Sequence, residues 1–168
     1  MPKAPFNYTL SFDKIDFRQQ PEFYRIGKGE QGVLLVQPYK SEILPHWRFK
    51  SPAIAQLSAE TIYKLFLEYK SQHDFVGMDM ARKFLQMGYT RSRRYANHKS
   101  GKKYDGPVPA DKKGQSGSHG RNQLPQVVDE IKAASARIFY EYWQKAKNDS
   151  DYQQMALQHR QQYETTYK

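Results

Sequence analysis

Apolar and polar residues alternate from residue 6 to residue 12, with Phe6, Tyr8, Leu10 and Phe12 set against Asn7, Thr9 and Ser11. A period of two built from strand-forming residues predicts a half-buried or edge strand. Ile15 and Phe17 are expected to anchor a connecting loop before Pro21. Two more short apolar runs, Phe23 to Ile26 and Val33 to Val36, read as strands either side of G-K-G-E-Q-G, with Pro38 closing the second. Residues 6–37 therefore predict a small antiparallel sheet.

The period then changes. Residues 39–50 look irregular, with Trp47 and Phe49 expected to pack and Arg48 and Lys50 to face outward. Ser51-Pro52 is a good helix start, because serine caps and proline fits the first turn. Ile54, Leu57, Ile62, Leu65, Phe66 and Tyr69 follow at helical spacing, giving one helix, or two broken near Ser58, up to about Gln72. Asp74 caps the next, in which Phe75, Met78, Phe84 and Leu85 lie roughly along one stripe and Gly88 suits the position after the end. Thr90 or Ser92 could cap a short basic helix beyond it. From Lys99 to Gln123 the composition turns to Gly, Ser, Pro, Lys and Asp, a long loop expected to be mobile in part between Asp111 and Asn122. Pro125 is expected to start a helix carrying Val127, Val128, Ile131, Ala134, Ile138, Phe139 and Trp143. Ser150 would cap a glutamine-rich last helix over about 150–166, anchored by Tyr152, Met155 or Ala156, and Tyr163. The fold class expected is α+β in a single domain: an N-terminal sheet (about 6–37) packed against four to five helices (from about 51), with a long basic loop.

Composition narrows the function classes. A chain of 168 residues is long enough for one hydrophobic core, and 13 Tyr and 9 Phe supply large apolar bodies with wet edges. No cysteine is present, which excludes a disulfide frame, a thiolate zinc site and a thiol nucleophile, and fits a reducing interior. No run approaches the roughly 20 apolar residues of a membrane span. A cytoplasmic protein without a membrane partner is expected.

Charge changes the picture most. The chain has 27 Lys and Arg against 17 Asp and Glu. Between Arg82 and Arg121 eleven basic residues face only Asp105 and Asp111, so nearly the whole excess of +10 lies in this segment. A concentrated excess marks a place for a polyanion, whereas a diffuse one only favours solubility. Arg91, Arg93, Arg94, Lys99, Lys102 and Lys103 are the expected phosphate contacts, extended by Arg82 and Lys83. Tyr89 and Tyr95 are candidates for stacking on bases, and Asn97 and His98 for reading base edges. The partner expected is nucleic acid, bound with little sequence preference. The alternative is an adaptor or inhibitor that docks an acidic protein on the same face.

Other motifs carry less. Gly27, Gly29 and Gly32 spell G-x-G-x-x-G, but V-L-L-V-Q-P follows where a dinucleotide fold needs a helix. A hairpin turn with glycines at positive φ is favoured over a phosphate contact. His98, Asp105, Asp111 and His119 lie near the basic stretch, but none of them belongs to an H-E-x-x-H, a D-x-D pair or an HNH-like frame. His46 beside Trp47 reads as structural. No nucleophile elbow occurs, no cofactor is expected, and the balance leans away from an enzyme.

Two long blocks carry a resemblance. G-K-G-E-Q-G-V-L-L-V-Q-P-Y-K-S-E-I-L-P-H-W-R-F-K, and D-F-V-G-M-D-M-A-R-K-F-L-Q-M-G-Y-T-R-S-R-R-Y-A-N-H-K-S-G-K-K-Y-D, resemble a small domain-of-unknown-function family of soluble proteins also found in phage genomes. The resemblance runs from about Phe6 to about Lys147. It implies one self-contained domain and no catalytic assignment.

Overall fold

A computed structural model describes residues 6–98, 102–115, 117–124 and 128–164. Among these residues five α-helices make up the frame: α1 (Tyr39–Ile43), α2 (Pro52–Ser71), α3 (Phe75–Asn97), α4 (Glu130–Lys147) and α5 (Ser150–His159). A single π-helical turn, Arg160–Glu164, continues α5. Among the described residues there is no strand and no sheet, and one isolated bridge joins Tyr104 to Gln123. The expected α+β class is therefore corrected to all-α.

The N-terminal arm shows why no sheet forms. Gly27, Gly29 and Gly32 take φ of 72°, 63° and 78°, which breaks the extended backbone three times in six residues. Amides among and just after them close successive turns, Gln31 N to Lys28 O, Val33 N to Glu30 O and Leu35 N to Gly32 O, and so are lost to any ladder. Val33 and Val36 are buried while Leu34 and Leu35 are exposed, a spacing of three that belongs to tight turns. In residues 6–12 the alternating aromatics build a file of rings instead. Phe6 stacks on Phe12 and Phe12 on Phe17, which meets Tyr24 edge-on.

The helices largely follow their caps. Ser51 Oγ accepts from Ile54 N (3.2 Å), and α2 runs unbroken past Ser58, whose hydroxyl bonds His46 O (2.6 Å) instead of ending the helix. Asp74 accepts from Gly77 N (3.1 Å) at the start of α3. The expected stop at Gly88 and the separate basic helix are corrected, because α3 continues through both to Asn97. Gly88 is a close-packing position: a Cβ there would lie 2.3 Å from Phe139 Cδ1 of α4. Gly77 plays the same part against Tyr69 of α2, at 2.5 Å. The expected start at Pro125 lies outside the described residues, and Asp129 caps α4 by accepting from Ile131 N and Lys132 N. For α5 the cap is Asp149 and not Ser150, with Tyr152 N donating to it (2.9 Å).

These choices make α3 the central element, flanked by α2 and α4, with α5 and the N-terminal arm covering its first half. Ile62, Phe66, Met78, Met80, Phe84, Leu85 and Phe139 are fully buried between them. The arm is tied down by a polar relay in which Arg18 forks onto Glu42 (2.7 and 2.8 Å) and Tyr69 OH donates to the same carboxylate (2.7 Å). Tyr39 OH donates to the capping Asp74 at 2.7 Å.

Candidate nucleic-acid interface

Helix α3 crosses two environments, and the basic residues divide with it. From Phe75 to Gly88 every residue except Gln86 is buried, whereas from Tyr89 to Asn97 only Ser92 and Ala96 are. Arg82 and Lys83, expected on the patch, lie in the first part, and Lys83 has no accessible surface. They serve an internal network around Asp79, itself fully buried. Asp79 accepts from Arg82 Nε (3.0 Å) and Nη2 (2.6 Å), from Tyr152 OH (2.6 Å) and from Tyr24 OH, with Lys83 Nζ at 3.7 Å. A buried carboxylate needs such company, since removing a charge from water costs several kcal/mol. Burial pushes its carboxyl up, but Arg82, Lys83 and the two tyrosine hydroxyls outweigh this and bring it down to about 2. Burial pulls the Lys83 ammonium well below its ordinary range, against the attraction of Asp79.

The same two cations hold the glycine turn. Arg82 Nη1 donates to Gly29 O (2.5 Å) and Lys83 Nζ to Gln31 O (2.6 Å), while Lys83 Nζ also lies 4.8 Å from the Tyr24 ring centroid. A phosphate-binding loop points amides at its anion. This turn points carbonyls at cations, the opposite polarity, so G-x-G-x-x-G here is a docking turn for the arm. Gly32 is needed both for its φ and because a Cβ would lie 2.1 Å from Phe6 Cζ.

The second part of α3 carries the outward charge. Arg91 and Arg93 are exposed and Arg94 is half-buried; Arg91 and Arg94, three residues apart, share a face. Lys102 is exposed and Lys103 half-buried, with its Nζ 5.5 Å from the Tyr104 ring, which Arg121 also covers at 5.0 Å. Asp105 N to Asn122 O and Leu124 N to Lys103 O pinch this loop shut at its base. Lys112 and Lys113 stand exposed on it, and Lys99 lies outside the described residues.

The other expected contacts are distributed unevenly. Tyr95 is 39% exposed and meets one ring, Phe49, at a tilt, which leaves much of it open. Tyr89 is stacked on Trp143 (5.7 Å) and packed against Tyr140 (5.3 Å), so the protein already covers its ring. Asn97 ends α3 half-buried. His98 is buried, and its backbone N–H donates to Arg94 O, which turns it from base edges toward closing the helix. Among the described residues no group of three His, Asp or Glu is placed to hold a metal ion. His119 Nε2 lies 3.2 Å from Gln115 O within its own loop.

Two features escaped the sequence reading. Asp79, Arg82 and Lys83 form an i, i+3, i+4 set inside a stripe of Met, Phe and Leu, and charge at that spacing in an apolar stripe was the available signal. Glu30 was the other. Thr90 Oγ1 donates to its carboxylate at 3.1 and 3.2 Å, which brings the glycine turn onto the basic end of α3. A groove of about 410 Å³ elsewhere, lined by Arg18, Asp74, Phe75, His159 and Tyr163 among others, has its main polar groups engaged. Arg18 is forked on Glu42, Asp74 accepts from Tyr39, and His159 Nε2 is 2.8 Å from Tyr24 O.

Among the described residues no helix is long and apolar enough to cross a membrane. A family model, the domain of unknown function DUF4385, matches residues 7–162, and the chain belongs to that family. No curated protein and no solved structure is similar enough to mark a relative.

Proposed function

We propose that this DUF4385 member is a non-catalytic protein that binds nucleic acid with little sequence preference. Its contacts are Arg91, Arg93 and Arg94 at the end of α3 together with Lys102 and Lys103. The observation that carries the reading is the exposed basic end of α3: Arg91 and Arg93 stand in solvent, as do Lys102, Lys112 and Lys113 further along the same segment, which holds most of the chain's positive excess. Guanidinium forks suit phosphate oxygens, and lysines add mobile positive charge around them. Tyr95 is the stacking candidate, since much of its ring is open. Arg82, Lys83 and Tyr89 support the face from below and do not touch the ligand. A cytoplasmic location and the phage association belong to the same proposal.

The test is charge reversal. Arg93→Glu with Arg94→Glu is expected to abolish binding to labelled single-stranded DNA and RNA while the thermal midpoint stays close to the parent value. Unfolding of the variant would assign the arginines to the fold and remove the main support.

A second reading has its own observation. Val128 (59%) and Ile131 (62%) are exposed at the start of α4, where Asp129 N donates to Ala96 O beside the basic end of α3. Apolar side chains next to cations suit an acidic protein partner. Such a complex would survive nuclease treatment, and a nucleic-acid complex would not.

A further inference from the structure

The glycine turn lays an acidic side chain on the face assigned to phosphate. Glu30 sits between Gly29 and Gln31, whose carbonyls are held by Arg82 (2.5 Å) and Lys83 (2.6 Å). With both neighbours clamped to α3, the half-buried Glu30 is held in place, its carboxylate at the Thr90 hydroxyl (3.1 and 3.2 Å). Arg91 and Arg94 attract the same carboxylate from the exposed face, with Arg82 behind. Burial nevertheless prevails and pushes the Glu30 carboxyl above its usual range, so the turn holds a partly desolvated anion there.

A hydroxyl and two guanidinium groups at i, i+1 and i+4 of one helix make a donor set for phosphate oxygens. Glu30 has the same charge sign and the same acceptor chemistry as that phosphate. We propose that Glu30 is a built-in competitor for the nucleic-acid phosphate at Thr90, Arg91 and Arg94, which a bound strand must displace. This rests on the nucleic-acid reading above and adds a brake to it: the arm that completes the fold also limits affinity on the basic face.

The experiment measures anisotropy of labelled single-stranded DNA with the full chain and with Glu30→Gln and Glu30→Ala, each over a salt series. Both variants are expected to bind about fivefold tighter, the equivalent of ~1 kcal/mol for removing one partly exposed like charge from the phosphate site. Their log–log salt slopes should steepen by about 0.7–0.9, one more phosphate contact. Thermal midpoints should stay at or above that of the parent, because a desolvated carboxylate is removed. Unchanged or weaker binding by folded variants, with the parent still binding, would overturn the brake and leave the nucleic-acid reading standing. If neither parent nor variants bind at roughly 50 mM salt, both fail together.

Discussion

Asp79→Asn changes one atom type and is expected to be among the most damaging single substitutions in this chain. The carboxylate accepts two bonds from Arg82 and one each from Tyr24 and Tyr152, with Lys83 Nζ at 3.7 Å, all without solvent. Asparagine keeps one acceptor oxygen and turns an NH2 toward groups that are themselves donors. It leaves the Arg82 and Lys83 charges without their buried partner. Breaking a buried pair by removing one side costs about 3–5 kcal/mol, a large share of the 5–15 kcal/mol that holds a typical domain together. For a chain of this size that corresponds to a fall in thermal midpoint of roughly 6–20 °C. Circular dichroism melts and urea titrations of the parent and variant measure it, with Arg93→Glu as a control expected to stay within about 0.5 kcal/mol. A loss below about 1 kcal/mol would refute the reasoning, since Asp79 would then not be the point on which the arm, α3 and α5 converge. Replacing Asp79, Arg82 and Lys83 together by leucine should recover part of the loss only, because the Gly29 and Gln31 carbonyls would then lack their donors.

Three further expectations follow from other contacts. The Asp79 carboxyl is brought down to about 2 from an ordinary value of 3.8, so its contribution is present above about pH 4 and disappears as pH falls toward 2. Urea titrations of the parent should lose about 2 kcal/mol over that window, a dependence that Asp79→Asn should lack. Gly88→Ala places a methyl 2.3 Å from Phe139 Cδ1; the overlap should outweigh the roughly 1 kcal/mol helix-propensity gain and leave a net loss of about 1–2 kcal/mol by urea titration. Equal or greater stability would mean that α3 and α4 slide apart freely. Tyr95→Ala should weaken single-stranded binding by about 1–3 kcal/mol with little effect on duplex, and Tyr89→Ala should lower the thermal midpoint instead, because its ring packs on Trp143 and Tyr140.

Two helix caps were legible because they are local chemistry, Ser51 and Asp74 both accepting the amide three residues on, whereas α5 is capped by Asp149 one residue before the expected Ser150. The helical half was readable for the same reason, since a 3.6-residue period persists over long segments. The N-terminal arm was not. Phe6, Tyr8, Leu10 and Phe12 alternate like a strand, yet neighbouring Gly27, Gly29 and Gly32 deny them a partner strand, and rings stack in its absence. Val33 to Val36 is apolar throughout and reads as a strand, and only in the fold does burial of Val33 and Val36, with Leu34 and Leu35 exposed, mark it as turns. Gly88 misled for another reason. A glycine that ends one helix and a glycine that admits a ring from another look alike in sequence, and Phe139 decides between them.

The charged segment was legible as a length of chain but not as a surface. Arg82, Lys83, Arg91 and Arg93 are equivalent by composition, whereas burial separates the first two, which hold the arm, from the last two, which face solvent. Glu30 was hidden because it lies sixty residues away from Thr90 in the chain, and only the folded turn brings them together.

The most direct test of the central claim is fluorescence anisotropy of labelled single-stranded DNA, duplex DNA and structured RNA across a salt series. Binding to at least one of them is expected, weakening steeply with salt in proportion to the counterions released from the contacted phosphates, and lost in Arg93→Glu/Arg94→Glu with the fold intact. Absence of binding to all three at roughly 50 mM salt, by a protein shown to be folded, would contradict it and turn the basic end of α3 into a docking surface for an acidic protein.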